Sequence, residues 1–262
     1  MTRTALFVSP HLDDAVFSAG GTIARLVGTG WAVTVATVFT ASVAEPEGFA
    51  LACQTDKGIP PEIDYMAVRR AEDAAACTVL GARTRWLDLA EAPHRGYGSA
   101  RALFGPVHAQ DTAEQAVRAR LEPVLAGQAP DAVFGPDGMA GHVDHLIVRA
   151  ALERLRPGGV LLWRDEPYGW RRRTPAAPGA LPVGIDRWLV AKTEAAGCYG
   201  SQLDFQFGGP TAMVHALCEA AEIVARGAPA ARDRFVERFT GAPSACAAFG
   251  AALSERIPGE VS

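Results

Sequence analysis

The chain lacks several features that would fix a function class early. In 262 residues it has two lysines, Lys57 and Lys192, so almost all of its positive charge is arginine. It has no long Lys/Arg block, and 25 basic against 29 acidic residues leave a formal charge of −4. Nucleic acid and an anionic membrane surface are therefore not the expected partners. No apolar run approaches the roughly 20 residues that span a bilayer, and the N-terminal "MTRTALFVSPHLDD" meets two acids before a secretory h-region is complete. The five cysteines are scattered, odd in number and form no CxxC, as expected of reduced thiols in a cytoplasm and not of a disulfide framework. No GxGxxG, Walker or GxSxG pattern occurs, which removes the commonest signatures of a dinucleotide fold, a P-loop and a serine hydrolase. The arginine bias and abundant alanine are those of a GC-rich bacterial genome.

What is present is an ordinary globular composition, 49% hydrophobic and 21% charged. Short β-branched runs at 5–9, 31–39, 83–89, 131–136 and 159–167 read as strands. Helical periodicity fills the gaps at 15–27, 62–80, 112–125 and 142–155, with Gly28 and Gly81 at two of the stops. Strands alternating with helices predict an α/β fold: a mostly parallel sheet with helices on both faces. Residues 41–61 and 171–185 read as long irregular insertions, and the tail from Ala228 reads as an Ala/Arg-rich helix. The whole chain, 1–262, is expected to be one domain with a helical C-terminal part over 207–262.

Ligands of such sheets bind beyond the carboxyl ends of the strands. "PHLDD" follows the first strand and "GPDGMAGHVDH" follows the fourth, so the two loops should share one edge. Adjacent Asp13 and Asp14 repel each other, and burying both without a positive partner costs several kcal/mol. His11 and Asp14 are three apart at a helix start, and so are His142 and His145. Imidazole nitrogen and carboxylate oxygen are zinc donors, and three protein ligands plus a water make a catalytic site. In the plainer reading an aspartate caps the following helix and each histidine lies at the surface. "GG" at 20–21 has no phosphate-loop context and reads as close helix packing.

These motifs resemble the PIG-L / LmbE-like zinc N-deacetylases. "PHLDDAVFSAGG" is similar to that family's HPDDE-type opening, "RRAEDAAACTVLGARTRWLDLAEAPHRGY" to its R-x-x-E-D…LG segment, "GHVDH" to its HxDH motif and "KTEAAGCYGSQ" to a later stretch. The resemblance runs over residues 4–206. Leu12 replaces a common proline and Ala15 a common glutamate, so any second-layer role of that glutamate is missing here. The resemblance implies a Rossmann-like fold and a hydrolase that removes an acyl group, usually acetyl, from an amide nitrogen of a sugar-like or natural-product substrate. It implies one divalent metal, Zn2+, on His11, Asp14 and His145. Asp13 would be the general base and His142 the oxyanion donor, oriented by Asp144.

Residues following the third strand and the R-x-x-E arginine are the candidates for substrate binding: Arg69, Asp88, Glu91, His94 and Arg95. Arg69 has a plainer role as an i,i+4 partner of Asp73. Tyr97, Trp163, Tyr168 and Trp170 are candidates for stacking on a ring, against core or rim packing. The expected partner is a small N-acylated molecule, with no nucleic acid and no membrane, and a homo-oligomer is left open. Two other functions fit the same residues: an amidase on a thiol conjugate or antibiotic intermediate, and a non-catalytic sugar- or nucleotide-binding module.

Overall fold

A computed structural model describes residues 2–173, 179–228 and 232–254. The first half alternates as the periodicity predicts. β1 (Thr4–Ser9), α1 (Asp14–Gly28) and β2 (Ala32–Phe39) lead to α2 (Gly48–Thr55), α3 (Tyr65–Leu80) and β3 (Arg83–Leu89). A 3-10 turn (Ala92–Arg95) and α4 (Ala100–Leu103) precede α5 (Ala113–Gln128), β4 (Ala132–Pro136) and α6 (Val143–Leu155). Then come β5 (Leu161–Trp163), α7 (Tyr168–Arg171), β6 (Leu181–Gly184), α8 (Leu189–Gly197), α9 (Gly200–Phe207), α10 (Pro210–Arg226), β7 (Val236–Thr240) and α11 (Pro243–Ser254).

Among the described residues the strands form one seven-stranded sheet in the order β3-β2-β1-β4-β5-β7-β6. The first five are mutually parallel, β7 adds antiparallel to β5, and β6 pairs antiparallel with β7 at the edge, so β7 alone of the seven runs against the others. Three expectations are corrected here. The 171–185 insertion contains β6, although its residues 174–178 lie outside the described ones. The C-terminal part is not helix throughout, because Val236–Thr240 pairs with both β5 and β6. The 41–61 loop likewise contains a helix, α2.

Period-2 alternation splits the sheet between two cores. Phe7, Val33, Val35 and Phe134 face the side covered by α1, α3, α8 and α10. Leu6, Val8, Val38 and Val133 face the side covered by α5 and α6. Gly21 is required by this packing, since a Cβ there would lie 2.7 Å from the Ile185 side chain. Among the described residues no helix is long and apolar enough to cross a membrane.

Chain order reverses between β1 and β4, which are direct neighbours in register, Phe7 beside Phe134. The loops leaving their carboxyl ends diverge to opposite faces and leave a crevice. That crevice receives both histidine motifs.

Candidate active site

α1 begins at Asp14, immediately after the β1 loop, and Asp13 occupies the position before it without making a side-chain cap. The capping role that would have explained the paired aspartates is therefore absent. Instead the Asp14 carboxylate turns back and accepts from the His11 amide (2.8 Å). On the facing loop His142 precedes α6, and its Nδ1 accepts from the Asp144 amide at 3.2 Å.

The four residues of the two motifs meet. Asp14 Oδ2 lies 3.1 Å from His11 Nδ1 and 3.3 Å from His145 Nε2. A tetrahedral ion with bonds of about 2.0–2.1 Å needs donors about 3.3 Å apart. His145 is fully buried, yet neither ring nitrogen makes a well-directed hydrogen bond. A buried unsatisfied imidazole is costly, and a cation shared with Asp14 would satisfy it. The ordinary charge balance agrees. Burial disfavours charge on the histidines, but carboxylates overcome it. Asp14 and Asp144 raise His11 to about 10, and Asp14 and Asp165 raise His145 well above the usual imidazole range. The pocket thus favours positive charge, and the donors fit a divalent metal. The outer nitrogens have carboxylate neighbours: His11 Nε2 lies 3.0 Å from Asp144, and His145 Nδ1 3.2 Å from Asp165. Such partners orient metal-binding imidazoles.

Asp13 stands outside this donor set. Burial pushes its carboxyl up to about 7, with Asp14 adding to the shift and Arg69, whose Nη2 lies 3.5 Å away, opposing it. His142 is displaced the other way, to about 3, by burial and by the adjacent His11 and His145. Because its Nδ1 accepts a hydrogen bond, the neutral ring carries its proton on Nε2. The Asp144 carboxylate does not orient His142 as expected; it faces His11 and Arg95, and only its backbone amide touches the His142 ring.

A cavity of about 420 Å³ opens above these groups. Its polar floor includes His11, Asp13, Asp14, Arg69, Glu91 and His142. Phe49, Leu103, Phe104, Tyr168 and Phe205 give it an apolar wall. Phe104 packs edge-on to His142, ring centres 5.2 Å apart. Arg69 is buried against Glu91 (2.6 Å), not against Asp73, which is held by Trp86 and Tyr199. His94 lines an adjoining cavity of about 360 Å³, also walled by Tyr65, Glu91 and Pro93.

Other candidates do not reach the main cavity. Asp88 is exposed, in a left-handed conformation (φ 56°), and Arg95 is committed to Asp111 and Asp144. Tyr97 and Trp163 are core residues, and Trp170 donates to Glu219. Sequence reasoning missed Asp165, Lys57, Phe49 and Phe205. Asp165 had a usable signal, because "WRDEP" leaves the carboxyl end of β5 on the same edge of the sheet. The others come from α2, α9 and their flanks, where nothing local marks a cavity wall.

The family comparison decides what this geometry belongs to. The PIG-L family, described as GlcNAc-PI de-N-acetylase, matches residues 6–155, more than half of the chain. The chain belongs to the PIG-L family. A 2'-N-acetylparomamine deacetylase of Streptomyces fradiae is 33% identical, over 96% of this chain and 88% of that one. A 1D-myo-inositol 2-acetamido-2-deoxy-alpha-D-glucopyranoside deacetylase of Nocardia farcinica is 29% identical, over 76% and 72%. Among solved structures, a deacetylase of an antimicrobial pseudoaglycone superposes with a TM-score of 0.74 at 29% identity, covering 91% of this chain and 96% of that one. The PIG-L match includes both histidine motifs, Arg69 and Glu91, whereas Asp165 and Tyr168 lie beyond it.

Proposed function

We propose that this chain is a zinc-dependent hydrolase that removes the acetyl group from an N-acetylated amino sugar, free or within a natural product, and works in the cytoplasm. The observation that carries this reading is the His11–Asp14–His145 donor set beside a carboxylate, Asp13, that is not part of it. The deacetylases named among the relatives support the choice of an N-acetyl amino sugar.

His11, Asp14 and His145 would hold the ion, which supplies Lewis acidity for activating water and polarising the amide carbonyl. Asp13 takes a proton as water adds to the carbonyl carbon. It then delivers that proton to the departing nitrogen as the C–N bond breaks, giving an amine and a carboxylic acid, whose remaining water-derived proton passes to the amine to leave an ammonium and a carboxylate. Arg69 holds the Asp13 carboxylate in place while its other arm holds Glu91. His142 donates through Nε2–H to the oxygen that becomes negative at the tetrahedral stage. Phe104 packs edge-on against both His142 and Tyr168 and makes that side of the cavity apolar. A non-catalytic binding module would need the two aspartates as helix caps, and Asp13 makes no side-chain cap while Asp14 turns back to the His11 amide.

The test is free-amine release from a panel containing 2'-N-acetylparomamine, N-acetylglucosamine and N-acetylated non-sugar amines. Release from the sugars and not from the simple amines is expected. Release from none, with the protein zinc-loaded, would refute the reading.

A further inference from the structure

Two three-residue donor sets overlap at His11. One is His11, Asp14 and His145, and the other is His11, His142 and Asp144. The His11 ring lies between them, Nδ1 3.1 Å from Asp14 and Nε2 3.0 Å from Asp144. Spacing alone does not say which set an ion would take, and the choice matters to the chemistry. An ion on the second set would consume His142, the oxyanion donor.

Charge separates the two sets. Asp14 has the histidines as its close partners, whereas Asp144 Oδ1 sits 2.7 Å from Arg95 Nη2. Arg95 is anchored on every side. It reaches Asp111 (3.2 Å) and the Ala90 carbonyl (2.7 Å), and its guanidinium lies 4.7 Å over the Phe39 ring. Asp111 is fixed in turn by the Tyr97 hydroxyl (2.9 Å). Asp144 is fully buried, and its Oδ2 also accepts from the Ala92 amide (3.1 Å). A dication on Asp144 would therefore meet a guanidinium already seated on the same carboxylate, in a buried site where like-charge repulsion is weakly screened.

We propose that Arg95 selects the metal site: its guanidinium withholds Asp144 from the ion and keeps it as the hydrogen-bond partner of His11 Nε2. The ion is thereby directed to Asp14 and His145, and His142 stays free for the substrate. Arg95 lines neither cavity beside the site, so it is a positioning residue that acts through Asp144. The inference rests on the metal-dependent reading above.

The test measures Zn2+ affinity by competition with a chromophoric chelator, and the Co2+ absorption spectrum, in four proteins: unmodified, H145A, R95M and R95M/H145A. H145A should lose affinity by more than the roughly 10–100-fold that follows loss of an outer partner. Removing the guanidinium should open the second set, so R95M/H145A should bind Zn2+ at least tenfold more tightly than H145A. Its Co2+ spectrum should differ from that of the unmodified protein and disappear when H142A is added. R95Q, which keeps donors but loses the charge, should act like R95M and carries the test should R95M not fold. A double variant no tighter than H145A would overturn the inference while leaving the metal-dependent reading intact. Failure of the unmodified protein to bind either ion would overturn both.

Discussion

Glu237 is the residue whose loss should reveal how the C-terminal part holds the active-site helix. α1 breaks its helical geometry at Ala19 (φ −133°, ψ 16°), which turns the next amides away from their usual carbonyls. Glu237, on β7, takes them up as a carboxylate at a helix start. It accepts from Gly21 N (3.0 Å), Thr22 N (2.7 Å), Thr22 Oγ1 (2.6 Å) and Lys192 Nζ (2.6 Å). Glu237 and Lys192 are both buried, 4% and 3% exposed at the side chain. Glu237→Ala would strand an ammonium and two amides away from water. Breaking a buried pair in this way costs about 3–5 kcal/mol. At about 2–4 °C per kcal/mol, the melting temperature should fall by roughly 6–20 °C. Lys192→Met should cost less, because the carboxylate keeps three hydrogen bonds. Thermal unfolding followed by circular dichroism reads both variants. A Glu237→Ala protein melting within about 2 °C of the parent would refute this account of the pair.

Asp13→Asn should retain the metal yet lower the turnover rate by roughly 10²–10⁴-fold, the range for a general acid–base group; parallel loss of metal would make Asp13 a ligand. His142→Ala should lower kcat by roughly 10²–10³-fold with little change in KM, since its bond strengthens only in the transition state. A raised KM at unchanged kcat would reduce His142 to a substrate contact. Asp111 gives a pH signature. Burial pushes its carboxyl up, but hydrogen bonds from Arg95, the Ala113 amide and Tyr97 win and hold it below the ordinary value. A depressed carboxylate stabilises the fold above its unfolded pKa, about 3.9, and loses that contribution as pH falls through the folded value. Asp111→Asn should therefore be less stable than the parent at neutral pH, with the gap closing in acid below about pH 4. A gap that stays constant down to acid unfolding would contradict the assignment.

The parts of the fold that were legible in the sequence are those whose signal is local. β1 to β4 and helices α1, α3, α5 and α6 lie close to the expected bounds, whereas β5 is cut to Leu161–Trp163 from the expected 159–167, because the chain leaves the sheet at Arg164. β7 was not legible, because "VERFT" places Glu237 and Arg238 inside and reads as a charged tail. Only partners far along the chain, Lys192 and Thr22, make the burial of Glu237 affordable. The same contrast holds at the site. The two histidine motifs are local spacings placed by neighbouring strands, so their convergence could be argued from pattern. Arg69 shows the limit, since the helix offered Asp73 at i,i+4 while the fold supplied Glu91 and Asp13. Arg95 shows it again: it follows the right strand, but its side chain runs beneath the site to Asp144. Asp165 is an intermediate case: its place after β5 marks the right edge of the sheet, but no spacing ties it to His145, which it reaches from a different strand.

The proposed function requires one zinc ion on His11, Asp14 and His145 to work with Asp13 in hydrolysing an N-acetyl group. The most direct measurement strips the protein with a chelator, returns Zn2+ in steps, and follows acetate release from 2'-N-acetylparomamine alongside bound metal. The stripped protein should release no acetate and recovery should saturate at one equivalent, with Asp13→Asn taking up the same equivalent and staying inactive. Full acetate release by the metal-free protein would contradict the proposed function.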